Sequence, residues 1–321
     1  MPAVTHFCTL FDLRYASRGL AMLESLEASF AGEKTITILA MDETTPSMLR
    51  KMGKPHWKVV TVEELGDAEL LEVKSSRPHR EFCWTCAPAL VARMVASHDE
   101  KDVVVYVDAD LYFFASPQSL LDELGDAGNI LIHEHRYSPD RQHYESSSGR
   151  FNVGFVAFVV GDEARACANR WRRQVLDKCV LDPDNGYCGD QGYLNEWPAL
   201  YPGLRILRNI GGGVAPWNLL SYKVAGDVKR PVVDEVPVVF FHYHAFRTVS
   251  VRFAGNIAAI PAWGYEFSRD AQRLLFSRYS RKLRRISNAA VRSGFKVESD
   301  MEHPFRDAVR ALLRRNLIFS I

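Results

Sequence analysis

The stretch VVVYVDADLYFF, residues 103–114, decides the fold class of this chain. Its first five residues form an apolar run without polar alternation, which indicates a strand covered on both faces, as in the centre of a parallel sheet. The run ends abruptly in Asp108, and a second aspartate, Asp110, follows after a single intervening residue. Open α/β sheets bind their ligands at the carboxyl ends of such strands. The stretch therefore predicts an α/β sheet with a ligand site at this strand end.

The flanking segments fit the same fold class. Before this stretch, β-branched runs alternate with amphipathic runs, which is typical of βα units on a mostly parallel sheet flanked by helices. After residue 128, candidate strands are separated by Gly-rich and aromatic segments that usually form substrate-facing loops. The predicted strands are Val4–Phe11, Thr35–Met41, Trp57–Val62, Val103–Val107, Asn129–Glu134, Asn152–Val160, Leu204–Arg208 and Val236–His242, and a further helix is predicted over Gln118–Leu124.

Composition predicts one catalytic domain with an appendage. The 321 residues are 47% hydrophobic and 25% charged, which is the profile of a soluble globular enzyme. The net charge of +1 excludes a generally basic nucleic-acid binder. From Tyr265 to Ile321, thirteen Lys and Arg stand against six Asp and Glu in a helical pattern. We therefore expect a catalytic domain over residues 1–264 and a basic helical C-terminal extension over residues 265–321. The extension either contacts an anionic membrane surface or packs on the catalytic domain.

The N-terminus and the cysteines indicate a cytoplasmic protein. The first residues lack the basic region and apolar core of a signal peptide, and no apolar run approaches membrane-spanning length. Cys83 and Cys86 form a C-x-x-C pair, but Cys179 and Cys188 are nine residues apart and do not supply the second close pair of a zinc site. The cysteines are interpreted as buried thiols.

The acidic pair after the central strand is a candidate metal site. Carboxylate oxygens suit Mg²⁺ or Mn²⁺, which would bridge a diphosphate and neutralise the charge of the leaving group. A second D-x-D, Asp182-Pro183-Asp184, lies in a Pro/Asn/Gly turn, where Asp commonly bonds its own backbone. The strand context selects Asp108 and Asp110 as the metal ligands.

The order of the motifs resembles the GT-A glycosyltransferases, and within them the family that includes glycogenin and the bacterial lipopolysaccharide galactosyl- and glucosyltransferases. Each motif is short, but the five occur in the family's order across residues 5–245, and ordered agreement is less frequent by chance than any single match. The motifs are Phe7-Cys8-Thr9-Leu10-Phe11-Asp12 followed by Tyr15, Asp108-Ala109-Asp110, Phe151-Asn152-Val153-Gly154-Phe155, Asp190-Gln191 with Leu194-Asn195, and Phe241-His242-Tyr243.

The resemblance implies a GT-A (Rossmann-like) fold and a retaining transferase. Its donor would be a nucleotide sugar, with UDP-sugar as the expected donor, and its acceptor a saccharide in the synthesis of a cell-surface polysaccharide or lipopolysaccharide. The third metal ligand would be His242, with His244 as the alternate because it lies two residues on, on the same face of a strand. The implied donor-binding residues are Thr9, Asp12, Tyr15, Asp108, Ala109, Asp110, Gly154 and Arg247, and the implied catalytic residues are Asp190, Gln191 and Asn152.

Several of these residues have a second interpretation. Asp12 and Asp190 are also suitable helix caps. Trp217 either stacks on a sugar ring or is buried, and Arg247 is either a diphosphate contact or a structural residue. The family carries an Arg where this chain has Ala87-Pro88-Ala89-Leu90, so Arg77, Arg80 or Arg93 would substitute for it. The family's Gly and Lys-Pro-Trp after the late His are replaced here by His244-Ala245-Phe246-Arg247.

Two other functional classes share part of this pattern. Aspartate-nucleophile phosphohydrolases also place D-x-D after an apolar strand, but they normally have Thr or Val two residues after the second Asp, where this chain has Tyr112. A non-catalytic carbohydrate-binding protein on the same fold is the other alternative, and the intact Asp pair argues against it.

Overall fold

The predicted central strand lies in the middle of the largest sheet of the structure. The structure is a computed structural model that describes residues 3–182, 184, 187–251, 256–261, 265, 267–295 and 318–319. Its strands are β1 (Thr5–Phe11), β2 (Lys34–Ala40), β3 (Trp57–Thr61), β4 (Val103–Val107), β5 (Leu111–Phe113), β6 (Ile130–Glu134), β7 (Phe151–Val159), β8 (Leu181–Asp182), β9 (Tyr187–Cys188), β10 (Leu204–Ile206), β11 (Val224–Gly226), β12 (Pro231–Val233), β13 (Val236–Pro237), β14 (Phe240–His242), β15 (Phe246–Val251), β16 (Asn256–Pro261) and β17 (Ile318–Phe319).

Helices connect most of the strands of the first half. The helices are α1 (Ala16–Ser29), α2 (Thr45–Met52), α3 (Ala68–Lys74), α4 (His79–Ser97), α5 (Gln118–Leu121), α6 (Glu145–Ser148), α7 (Asp162–Asp177), α8 (Trp197–Leu200), α9 (Arg269–Ala271) and α10 (Ser277–Arg292). Short 3₁₀ segments cover Asp122–Leu124, Pro139–Tyr144, Gln191–Glu196 and Leu219–Ser221, and a π-helical turn covers Gln272–Phe276.

The central sheet has seven strands in the order β10-β6-β7-β4-β1-β2-β3. All neighbours are parallel except β7, which runs antiparallel to both β4 and β6. Parallel strands need crossover connections, and α1, α2 and α4 supply them. The carboxyl ends of β1 and β4 and the amino end of β7 consequently meet at one edge of the sheet.

Helices cover both faces of this sheet, because each helix has an apolar side. Leu20, Leu23 and Leu26 of α1 pack on one face in a cluster that includes Phe7. Leu90 and Val91 of α4, with Trp171 of α7, pack on the other face. The prediction of a mostly parallel α/β sheet flanked by helices is confirmed.

Three predicted elements differ in their extent. The strand predicted over Val236–His242 is two strands, because β13 pairs with β12 whereas β14 pairs with β5. Between them, the Val239 amide donates to the Gly211 carbonyl at 2.8 Å. The strand predicted over Leu204–Arg208 ends at Ile206, and the helix predicted over Gln118–Leu124 changes to a 3₁₀ turn after Leu121.

The C-terminal segment packs on the main core as far as it is described. Tyr279, Leu283 and Ile286 of α10 are buried in the same cluster as α1. The prediction of a helix throughout this segment is wrong at Ile318–Phe319, which pairs with β16 as a strand. The proposed domain boundary after residue 264 adjoins residues 262–264, which lie outside the described residues. In the described part of the chain, no helix combines the length and the apolar character needed to cross a membrane.

Candidate metal and donor site

A two-stranded ribbon brings the predicted metal ligands together. Asp108 follows β4, and Asp110 immediately precedes β5. β5 pairs antiparallel with β14, so that Leu111 lies opposite His242, and the Tyr243 amide donates to the Asp110 carbonyl at 2.9 Å. Residues more than 130 positions apart in the sequence therefore meet at one strand end.

The three side chains converge on one point. His242 Nε2 lies 3.1 Å from Asp110 Oδ1 and 3.8 Å from Asp108 Oδ2. One potential ligand atom of each residue lies within 4.8 Å of the other two. Two carboxylates and an imidazole form a donor set that suits Mn²⁺ or Mg²⁺. The residues present fit a divalent cation at this place.

The two carboxylates have different electrostatic environments. Burial, together with the charge of Asp110, raises the pKa of Asp108 to about 6 in spite of the nearby His242. Burial acts in the same direction on Asp110, but the charge and hydrogen bond of His242 outweigh it and lower the pKa of Asp110 to about 2. For His242, burial is outweighed by the charge of Asp110, and its pKa is raised above the ordinary value. Of the three side chains, His242 and Asp108 therefore hold a proton more tightly than their free counterparts, and Asp110 holds one less tightly.

Backbone and side-chain contacts hold the site in place. The Tyr106 hydroxyl donates to Asp108 Oδ1 at 3.0 Å, and the Asp108 amide donates to the Gly154 carbonyl at 3.0 Å. A Cβ at Gly154 would lie 2.8 Å from Asn152 Oδ1 and 2.9 Å from His242 Nδ1. The absence of a side chain at Gly154 lets β7 approach the three candidate metal ligands closely.

The predicted catalytic residues lie beside this group. Asn152 is buried on β7, and its Nδ2 lies 3.3 Å from Gln191 Oε1. Asp190 precedes the 3₁₀ segment that begins at Gln191, and its carbonyl accepts from Trp171 Nε1 at 2.9 Å. Burial, and then the charge of Asp108, raise the pKa of Asp190 well above the ordinary value. No side-chain capping bond forms at Asp190, which removes the main support for its interpretation as a helix cap.

The carboxyl end of β1 adjoins the same edge. Asp12 accepts from the Tyr15 amide at 2.9 Å through Oδ1, so it does cap the following turn, and its Oδ2 lies 2.9 Å from His79 Nε2. Tyr15 is 44% exposed, and the Arg18 guanidinium lies 4.7 Å from the centroid of its ring. Thr9 is completely buried within β1. An aromatic ring beside a carboxylate can receive a base and a ribose.

Other candidates lie outside the three-ligand group. His244 and Arg247 are exposed on the segment after β14. Trp217 is buried, and its ring lies 5.1 Å from that of His242, so its interpretation as a buried tryptophan is confirmed. The second D-x-D has Asp182 in the short strand β8, whereas Pro183 lies outside the described residues.

The structure also shows the surroundings of the three candidate arginines and of the cysteines. Arg77 donates to the Val175 and Leu176 carbonyls and is structural. Arg80 is exposed over the Trp84 ring, which packs against Gly189, and Arg93 is exposed near the other end of α4. All six cysteines are free. Burial raises the pKa of Cys83 to about 12 and raises that of Cys86 well above its ordinary value, as expected for inert thiols.

Four residues near the site were not predicted from the sequence to have a role there. Arg18 is buried, donates to the Phe246 carbonyl at 2.8 Å and contributes to the low pKa of Asp110. His79 contacts Asp12, Tyr106 contacts Asp108, and His135 contacts Asn152 at 3.2 Å. Tyr106 carries a sequence signal, because it is the polar residue of an otherwise aliphatic strand. The other three depend on contacts between distant segments.

Comparison with known proteins gives relatives in sequence and in fold. The chain is 30% identical over 247 residues to the uncharacterized protein YfnD of Bacillus subtilis strain 168, an alignment that covers 76% of this chain and 79% of YfnD. It is 29% identical over 251 residues to YfnF of the same organism, covering 76% of this chain and 82% of YfnF. The chain matches no family model.

Among solved structures, the galactosyltransferase LgtC in complex with donor and acceptor sugar analogs superposes with a TM-score of 0.52 at 16% identity. The superposition covers 87% of this chain and 95% of LgtC. This likeness confirms the GT-A fold that the motif order predicts.

Proposed function

This chain belongs to the family of the Bacillus subtilis protein YfnD, and we propose that it is a divalent-cation-dependent glycosyltransferase. Its donor is a nucleoside-diphosphate hexose, with uridine as the base, and its acceptor is a saccharide on the path to a cell-surface polysaccharide or lipopolysaccharide. The solved structure of LgtC, a galactosyltransferase with the same fold, supports this reaction class. Retention of the anomeric configuration is part of the proposal and comes from the motif resemblance.

The observation that carries the proposal is the convergence of Asp108, Asp110 and His242 at the carboxyl end of β4. In an open α/β sheet this is where a ligand binds, and here it adjoins the exposed Tyr15 at the end of β1. A bound Mn²⁺ or Mg²⁺ stabilises the negative charge of a departing diphosphate.

The chain's own residues have positioning roles in this scheme. Asp12, Tyr15 and the backbone at Thr9 and Ala109 hold the nucleoside, and Arg247 binds the diphosphate from the segment after β14. Gly154 leaves room for the donor beside β7. Asn152, Asp190 and Gln191 face the sugar, where they orient its hydroxyls and the acceptor. Most of the catalytic effect comes from orientation and from stabilisation of the leaving group.

The test is cation-dependent donor hydrolysis and transfer with matched variants. Wild-type protein is incubated with UDP-glucose or UDP-galactose, with Mn²⁺ or EDTA, and UDP release is measured. Asp110→Asn removes one ligand charge, and we expect a loss of about 100-fold or more. The control is Asp184→Asn in the second D-x-D, which is exposed and should keep full activity. Equal activity of both variants, or release that persists in EDTA, would refute the proposal.

One outcome would move the assignment to the phosphohydrolase class. If the protein instead released phosphate from a generic phosphomonoester, and Asp108→Asn abolished this release, Asp108 would be a nucleophile rather than a metal ligand. The tests use different substrates, so the two results cannot be confused.

We also propose that the protein works in the cytoplasm with α10 at an anionic membrane surface. The support is the row of exposed cations Arg281, Arg285 and Arg292 on α10. Lys282 and Arg285 both lie within ion-pair distance of Glu24, so part of this positive charge is already paired within the protein.

A further inference from the structure

His135 lies directly after β6, and it is held rigidly although the motif pattern gives it no role. Its ring is buried, with the Tyr137 ring stacked on it at 4.7 Å and the Trp217 ring edge-on at 5.1 Å. Its amide donates to the Arg150 carbonyl at 2.9 Å, and its carbonyl accepts from Trp217 Nε1 at 2.9 Å. The backbone and the ring are therefore both fixed in position.

The neighbouring Asn152 has only one consistent amide orientation. The Gly154 amide donates to Asn152 Oδ1 at 2.9 Å, which identifies this atom as the oxygen. Asn152 Nδ2 then faces His135 Nε2 at 3.2 Å and Gln191 Oε1 at 3.3 Å. An amide nitrogen carries two hydrogens, and each hydrogen has an acceptor here.

These contacts determine the tautomer of His135. Burial lowers the pKa of His135 to about 3, so its ring is neutral at neutral pH. A neutral imidazole has one donor and one acceptor nitrogen. Because Asn152 donates toward Nε2, Nε2 is the acceptor and the ring hydrogen lies on Nδ1. Nδ1 has no hydrogen-bond partner among the described residues in either tautomer, and the other tautomer would in addition place two donors against each other in a buried site.

The same contacts fix the carboxamide of Gln191. Its Oε1 accepts from Asn152, and its Nε2 donates to the Ser148 carbonyl at 2.8 Å. Both ends of the carboxamide are therefore bound to partners on or next to β7. Without the acceptor at His135, the Asn152 amide would lose one of its two partners and its preference for the present orientation.

We propose that His135 is a positioning residue that orients the Gln191 side chain through the Asn152 amide. This inference deepens the proposed function, and it rests on that function for the assumption that Gln191 faces the reacting sugar. His135 itself would touch neither the donor nor the metal. Its loss should consequently lower kcat while the donor KM and the affinity for Mn²⁺ stay unchanged.

The kinetic test compares two substitutions at this position. His135→Phe keeps a ring between Tyr137 and Trp217 but removes the acceptor, and we expect a fall in kcat of about tenfold or more through loss of orientation. His135→Gln can place an amide oxygen near the former Nε2, and it should recover most of that loss. Mn²⁺ titration of both variants checks that the metal site is intact. Equal kcat in His135→Phe and wild type, or equal impairment in both variants, would overturn the proposal.

A second measurement does not depend on activity. Nitrogen-15 NMR of histidine-labelled protein reports which ring nitrogen carries hydrogen, and we expect Nδ1 for His135 at neutral pH. The Gln191 side-chain amide signals, assigned with Gln191→Glu, should shift in His135→Phe and return toward wild type in His135→Gln. A hydrogen on Nε2, or unchanged Gln191 signals, would refute the proposal that His135 orients Gln191 through Asn152. If wild-type protein transfers no sugar but these spectra are as expected, the proposed function fails and the positioning role of His135 stands.

Discussion

Asp108 and Asp110 are separated by a single residue, yet their pKa values are shifted in opposite directions. The difference comes from His242, which hydrogen-bonds to Asp110 and lies farther from Asp108. The sequence predicts the acidic pair and its partner His242, because strand context and motif order can both be read from the sequence. The sequence does not predict the asymmetry, because the asymmetry depends on a distance between β5 and β14.

The affinity for Mn²⁺ should rise as the pH rises through about 6, the pKa of Asp108, and on above the ordinary pKa of histidine. Binding must displace the proton from Asp108, whose pKa is about 6, and from His242, whose pKa is raised above its ordinary value. Both groups bind protons more tightly in the free protein than in the complex, so acid weakens binding by about tenfold per pH unit for each proton released. Calorimetry in two buffers of different ionisation enthalpy measures the protons released. A constant affinity across this range would contradict the prediction.

A methyl group at Gly154 should distort the candidate metal site by steric contact with His242. The substitution changes the charge of none of the three candidate ligands. In Gly154→Ala the Cβ would lie 2.9 Å from His242 Nδ1, so that the imidazole must move. We expect the affinity for Mn²⁺ to fall about tenfold or more, as for other changes in the residues that orient metal ligands. Gly161→Ala is the control, because its Cβ would meet its nearest atom at 3.5 Å. Similar affinities in the two variants would show that His242 is not a ligand.

At the level of elements, the ribbon of β5 and β14, which carries the candidate metal ligands, depends on a contact between α1 and β5. The Phe113 amide donates to Ser25 Oγ at 3.0 Å, and Ser25 Oγ donates to the Met22 carbonyl at 2.8 Å. This buried hydroxyl satisfies a backbone group of a strand that is only three residues long. The position of the acidic pair is thereby tied to the first helix of the fold.

Ser25→Ala should reduce the free energy of unfolding by about 1–3 kcal/mol, because it leaves the buried Phe113 amide without its acceptor. Urea denaturation measures the change. Ser29→Ala is the matched control, since the Ser29 hydroxyl bonds only to carbonyls of its own helix at 2.6 and 3.3 Å. A loss in Ser25→Ala no larger than in the control would mean that this contact does not hold β5.

The limits of sequence-based prediction follow from the same elements. β1 to β4 were predicted because each is a short β-branched run, and amphipathic runs between them indicated helices that pack on the sheet. The strand predicted over Val236–His242 was wrong because its residues change partners from β12 to β5, and a single apolar run does not encode that change. Arg18 and His135 were missed for a related reason. Both residues act through contacts with distant segments, and neither belongs to a motif.

For the whole molecule, α10 belongs to the folded core and also presents positive charge. Its inner face contributes Tyr279 and Leu283 to the cluster that contains α1. A shortened chain that ends at Trp263 would remove these side chains and expose their partners. It would therefore report on folding as well as on any surface role, and the membrane proposal needs a test that leaves the core unchanged.

Substitution of surface arginines provides that test. We expect full-length protein to float with vesicles that contain anionic phospholipid. The triple variant Arg281→Ser, Arg285→Ser and Arg292→Ser should reduce this flotation several-fold, because each cation near an anionic surface contributes about 1 kcal/mol to binding. The control is Arg50→Ser, Lys58→Ser and Arg93→Ser, which changes the net charge equally at exposed positions elsewhere. Flotation should also fall as salt is raised, since the attraction is screened. Equal flotation of both triple variants would assign the binding to net charge rather than to α10, and failure of the wild type to float would reject membrane contact.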